Sequence, residues 1–299
     1  MTLKIEHVTK KFQNFTAVDN INLTLEKGKM LGFLGRNGAG KTTSFRMILG
    51  LTEPTTGEIT YNGKPINAQM YNAIGYLPEE RGLHPKLTVT EELTYLATLK
   101  GLSSKTIQTA ITYWLERFEI TENKDKKIES LSKGNQQKIQ LLASILHEPE
   151  LLILDEPFSG LDPVNVELLK SAVKELNAKG TTIIFSSHRM EHIEELCDDI
   201  CILNQGKMVV QGSIAQVKED IGYKRVAIEA DYDISDLAEV EGVIKIEEKD
   251  STIFFTIEDE SVANVLFEVI QHRGFVRRFQ ILEPTINEIF IQKVGEQRA

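Results

Sequence analysis

Apolar and polar positions run along this chain with two periods. Short β-rich stretches, "LKIEHV", "INLTL", "MLGFLG", "AIGYL", "LLILD", "TTIIFSS" and "DICIL", predict strands, and the unbroken apolar character of "MLGFL" and "LLIL" marks them as buried ones. Between them a 3.6-residue period appears in "TTSFRMILG", "VTEELTYLATLK", "TIQTAITYWLERF" and "IQLLASIL". In the third of these, Ile107, Ala110, Ile111, Trp114, Leu115 and Phe118 fall on one helix face. Thr88 with Glu91 makes a capping box, and Asp162 followed by Pro163 is an N-cap and first-turn proline for "VNVELLKSAVKELNAK". Strands alternating with helices predict an α/β domain around a largely parallel sheet over residues 1–220. After "SIAQVKEDIG" the register changes. "KRVAIEA", "VIKIEEK", "TIFFTIE" and "VRRFQIL" read as strands, with helical "ISDLAEV" and "SVANVLFEVIQHRG" between them and "TINEIFIQKV" last. That order predicts a small C-terminal α+β domain, βαββαβ-like, over 221–299, with the boundary near Gly222.

Composition adds limits. A chain of 299 residues that is 41% hydrophobic can bury a large core. No apolar run approaches the ~20 residues that a membrane helix needs, and the alternating N-terminus "MTLKIEHVTKKF" does not read as a signal peptide, so a soluble, cytoplasmic protein is expected. A net charge of −10 argues against a general grip on nucleic-acid phosphates, and no nucleic-acid partner is expected. Cys197 and Cys201, four apart with no second pair, fit neither a disulfide framework nor a zinc pattern.

The chemistry lies in two stretches. "GRNGAGKTT", running through Gly35, Arg36, Asn37, Gly38, Ala39, Gly40, Lys41, Thr42 and Thr43, matches G-x-x-x-x-G-K-[ST] between an apolar strand and a helix. The glycines let successive backbone N–H groups turn inward onto phosphate oxygens, and the following helix adds its positive end. Lys41 supplies a cation for the terminal phosphates, and the Thr42 hydroxyl suits Mg²⁺. "LLILDEP" is a buried strand that ends in two acids. Alone it could be a solvated turn. Beside a phosphate loop, Asp155 is suited to hold Mg²⁺ and Glu156 to polarise an attacking water.

With "GRNGAGKTT", "LSKGNQQK", "LLILDEPFSGLD" and "SSH" in this order, the chain resembles the ATP-binding subunits of ABC transporters over 1–220. The resemblance implies a P-loop NTPase fold of the ABC ATPase type, with ATP and Mg²⁺ as cofactors. It implies that Phe12 stacks on adenine, that Glu79 stands where the family usually has a Gln beside Mg²⁺, and that His188 touches the γ-phosphate. It also implies that "LSKGNQQK", with Ser132, Gly134 and Asn135, closes over the ATP of an opposite subunit, and that Asp162 lies in the loop coupling the two sites. Lys133 and Asn135 replace a Gly and the Gln of the usual signature. "LPEERGL" and "EPTINEIF" resemble the sodium-extrusion and drug or antibiotic export subgroup of ABC-2 type.

The resulting expectation is an ATPase subunit that dimerises, with itself or a paralogous ATP-binding subunit, to power export through separate integral-membrane permease subunits. It would sit in the cytoplasm, on the inner face of the cell membrane. The alternative is a soluble ABC-type ATPase acting on ribosomes or DNA. The single phosphate loop, and the fewer than a hundred residues between Thr43 and Leu131, weigh against it. "HRMEH", His188 to His192, also fits a zinc-protease pattern, but His188 directly follows a strand and would not share a helix face with His192.

Overall fold

The computed structural model describes residues 2–66, 68–80, 82–221 and 224–295, and it divides the chain into two units between 212 and 213. In the first unit, β1 (Thr2–Phe12) and β2 (Phe15–Glu26) form an antiparallel hairpin with Phe12 opposite Phe15. Next come β3 (Met30–Gly35), α1 (Lys41–Ile48), β4 (Thr56–Tyr61), β5 (Lys64–Pro65), β6 (Ile74–Leu77), α2 (Val89–Leu99) and α3 (Ser104–Arg117). The unit continues with α4 (Lys133–Ile145), β7 (Leu151–Asp155), α5 (Pro163–Ala178), β8 (Thr182–Ser186), α6 (Met190–Leu196), β9 (Asp199–Asn204) and β10 (Lys207–Ser213).

These strands make two sheets. One has the order β10-β9-β3-β8-β7-β6, and its five strands from β9 to β6 run parallel. Every residue of β3, β7 and β8 is buried, as a parallel sheet covered on both faces requires. The other sheet, β2-β1-β4-β5, is antiparallel. "LKIEHV" and "INLTL" therefore form a hairpin outside the parallel sheet. Two residues, Gln13 and Asn14, connect their strands, too few for the crossover that parallel pairing needs. Alternating burial of Ile21, Leu23 and Leu25 in β2 agrees with a sheet that has one wet face.

The helix ends follow their caps. Thr88 and Glu91 form the reciprocal capping box of α2, and Asp162 caps α5 ahead of Pro163. In α3, Ile107, Ile111, Trp114 and Leu115 are buried.

The second unit holds α7 (Ile214–Glu219), β11 (Lys224–Ala230), β12 (Val243–Lys249), β13 (Thr252–Ile257), α8 (Glu260–Ile270), β14 (Val276–Leu282) and α9 (Ile286–Gly295). Its antiparallel sheet has the order β12-β13-β11-β14 and a core of its own, including Val226, Ile228, Phe255, Leu266 and Ile270. "ISDLAEV" forms a short 3₁₀ turn, Ser235–Glu239, in place of an α-helix. The division at 212/213 precedes the 220/221 boundary expected from the sequence, because α7 packs against α9. Gly222 itself lies outside the described residues.

Candidate active site

Four strand ends build the site. Because β3, β6, β7 and β8 run parallel, their carboxyl ends open along one edge, where ligands of α/β sheets bind. The phosphate loop follows β3, Glu79 follows β6, Glu156 follows β7 and His188 follows β8. A cavity of about 360 Å³ lies there, lined by Phe15, Ala17, Arg36, Asn37, Gly38, Gly40, Lys41, Thr42, Thr43, Glu79, Asp155, Glu156 and His188.

The loop's backbone is set by close approach. Gly40 stands at φ 106°, and a Cβ there would lie 2.5 Å from the Ala17 carbonyl oxygen. No side chain caps the start of α1, so its first-turn N–H groups have no side-chain acceptor and remain available to an anion. Lys41 Nζ folds back on the loop, donating to the carbonyl oxygens of Gly35 at 2.6 Å and Arg36 at 3.3 Å. Burial lowers the Lys41 pKa, while the negative charges of Asp155, Glu156 and Glu79 pull it upward.

The acid pair is organised by a residue on the neighbouring strand. Asp155 pairs with Ser186 in the β7–β8 ladder. The Ser186 hydroxyl donates to Asp155 Oδ1 at 2.6 Å and accepts from the Glu156 backbone N–H at 3.1 Å. Asp155 and Glu156 are only 2% and 8% exposed. Burial pushes both carboxyls up; the Ser186 hydrogen bond offsets part of this at Asp155, and His188 does so at Glu156. Glu156 sits at φ 52°, a left-handed conformation uncommon outside glycine. Its Oε1 is buried with no hydrogen-bond partner, and His188 Nε2 lies 3.5 Å away.

The donor set fits a hard divalent cation. Thr42, Glu79 and Asp155 bring oxygen ligands to the same cavity. Among the described residues no three His, Cys, Asp or Glu side chains enclose an ion by themselves. Phosphate oxygens and water would complete the shell, as is usual for Mg²⁺.

Other expected residues lie elsewhere. Phe12 does not line the cavity; its ring lies 5.1 Å from Lys10 Nζ, and Phe15, its cross-strand neighbour, lines the cavity instead. Ser132, Gly134, Asn135 and Asp162 do not line it either. They form a separate group. Ser132 Oγ accepts from the Asn135 N–H at 3.3 Å, Asp162 Oδ1 accepts from the Asn165 N–H at 3.0 Å, and a Cβ on Gly134 would lie 3.5 Å from Leu161. His188 lines the cavity, whereas His192 is buried in α6 with its ring 5.1 Å from Phe158, so the two histidines of "HRMEH" have different surroundings. Sequence reading missed Phe15 and Ser186. Two aromatics flanking a two-residue turn are an ambiguous signal, and the partner of Asp155 depends on strand register.

Comparison with known proteins agrees with this geometry. Residues 18–159 match the ABC transporter family, and residues 212–294 match the C-terminal domain of DrrA1-3-like ATP-binding proteins. The chain is 52% identical to the uncharacterized ABC transporter ATP-binding protein YhaQ of Bacillus subtilis, over 98% of each chain. It is 33% identical to the linearmycin resistance ATP-binding protein LnrL of the same organism, again over 98% of each. A solved ATP-binding subunit of an ABC transporter superposes with a TM-score of 0.70 at 30% identity, covering 74% of this chain and 94% of that one.

Proposed function

The chain belongs to the ATP-hydrolysing, ATP-binding subunits of ABC transporters, and from that premise we propose how its residues divide the work. The carrying observation is the buried Oε1 of Glu156, which accepts no hydrogen bond and faces His188 Nε2 at 3.5 Å, in the cavity that also holds Lys41. A buried carboxylate with raised proton affinity is suited to take a proton from water as general base. Lys41 exchanges the Gly35 and Arg36 carbonyls for the terminal phosphates of ATP, which the loop and the α1 N-terminus cradle. Thr42, Asp155 and Glu79 are the residues that would hold Mg²⁺, whose charge favours the developing phosphoryl oxygens. His188 faces the same phosphates. The end of the β1–β2 hairpin supplies the aromatic for the base, with Phe15 better placed than the expected Phe12.

Ser132, Gly134, Asn135 and Asp162 lie off their own chain's cavity. This supports their use on the ATP of a second copy, or of a paralogous subunit, so that closure of two chains completes each site. Among the described residues no helix is long and apolar enough to cross a membrane. In this reading transport runs through separate permease subunits, with this chain on the inner face of the membrane. The relative that confers linearmycin resistance and the DrrA-like C-terminal match support drug or antibiotic efflux. The alternative role on ribosomes or DNA has no such support. Replacing Glu156 by Gln tests the assignment: phosphate release should stop and an ATP-bound dimer should accumulate, seen by light scattering. Continued turnover defeats it.

A further inference from the structure

α4 carries two inward-facing glutamines one turn apart, each about 4% exposed. Gln137 Nε2 donates to the Pro157 carbonyl at 2.9 Å, one residue beyond Glu156. Gln140 Nε2 donates to the carbonyls of Pro78, at 3.1 Å, and Glu80, at 3.2 Å. Those residues flank Glu79. Both amide protons of Gln140 are thereby committed to the backbone that presents Glu79 to the cavity. Glu79 itself is exposed, on the short segment that follows β6, so the helix supplies a fixed point for it.

We propose that Gln140 is the positioning residue for Glu79, tying the cavity's third carboxylate to the helix that begins at Ser132. The inference rests on the reading of Glu79 as a Mg²⁺-side residue. Its consequence is mechanical. Pressure on the first turn of α4 by a second copy reaches Glu156 through Gln137 and Glu79 through Gln140, because one rigid helix holds both segments. Donors that orient a metal-side ligand without touching the metal typically govern metal affinity and turnover by about 10–100-fold.

The test uses the full chain. Gln140→Met keeps the volume and removes the donor, and Gln140→Asn keeps the amide on a shorter stem. Two readouts are taken across Mg²⁺ concentration: steady-state ATP hydrolysis, and the ATP-dependent rise in unfolding temperature measured in the Glu156→Gln background. The Mg²⁺ midpoint should move up by about tenfold in both, with ATP binding in the absence of Mg²⁺ unchanged. Added to Glu79→Ala, either substitution should give no further shift. A merely structural role would lower the unfolding temperature and leave the Mg²⁺ midpoint in place. An unmoved midpoint, full additivity with Glu79→Ala, or loss of the native transition in both variants overturns the proposal. So does a wild-type midpoint in Glu79→Ala itself, and that result also defeats the reading of Glu79. Normal Glu79 dependence with an insensitive Gln140 defeats this inference alone.

Discussion

Ser186 governs two carboxylates at once, accepting from the Glu156 backbone and donating to Asp155. Ser186→Ala should keep the fold and cost about 10–100-fold in turnover. It should also move the acid limb of the pH–rate profile upward, since the lost hydrogen bond is what holds the Asp155 carboxyl down against its burial; kcat/KM measured against pH checks both. Glu156→Gln carries a stability prediction as well. A carboxyl whose affinity for protons is higher folded than unfolded makes the native state less stable as pH rises through that interval. The amide removes that cost, so the unfolding temperature at neutral pH should shift up. The gain should vanish below the ordinary carboxylate range, and an unchanged midpoint at neutral pH would contradict it. Residue types at the Gly35 to Thr43 loop, Asp155 and Glu156 are legible because glycine spacing and acidic side chains can be read within a few positions of the chain. Phe15 is not, because only the packing of the hairpin end decides which of two rings meets the cavity.

At the scale of elements, the junction of β3 and α1 depends on Gly40. Its φ of 106° and the 2.5 Å approach of the Ala17 carbonyl leave no room for a side chain. Gly40→Ala should abolish binding of a fluorescent ATP analogue, while far-UV circular dichroism stays near wild type. Wild-type affinity would show that the loop tolerates a shift of β2. Just beyond α4, burial pushes His147 down to about 4, and its Nε2 lies 3.2 Å from the Ile74 carbonyl oxygen. A histidine kept neutral by burial makes the fold lose stability as pH falls from its ordinary value toward 4. Over that interval His147→Gln should flatten the fall in unfolding temperature, and an equally steep fall would exclude His147 as its source. Of the strands, β4 and β5 are hard to read from the sequence because their stretches carry little apolar character, with only Ile59, Thr60 and Tyr61 buried in β4, and β10 because its apolar Met208, Val209 and Val210 make a short run without alternation and none of its residues is fully buried. Their turns did carry a signal. Asn62–Gly63 and Gln205–Gly206 both adopt positive φ, as two-residue hairpin turns require.

For the whole molecule, two separate cores imply two unfolding events. Calorimetry of the full chain should resolve two transitions, with MgATP raising only the one belonging to residues 2–212. At a hundredfold excess over Kd the nucleotide should stabilise that unit by about 2.7 kcal/mol. A single transition that moves as a whole with nucleotide would show that the two units unfold together. The C-terminal unit is legible as a small α+β unit from its change of period, although its first helical stretch closes into a 3₁₀ turn; the sequence pattern puts the boundary after α7 and the structure divides the chain before it. Nothing in "SIAQVKED" distinguishes a helix that ends one domain from one that opens the next; its packing on α9 does.

By itself the sequence determined the phosphate loop, the acid pair, most strands and the caps, since these depend on residue type and on spacing within a few positions. The tertiary structure decided the rest: which strands lie outside the parallel sheet, which ring lines the cavity, that Ser186 serves Asp155, and that α4 holds the segments of Glu79 and Glu156. Each of those depends on register or contact between residues distant in the chain. Local pattern does not encode such distances; only closing the sheet and packing α4 against it brings the residues together.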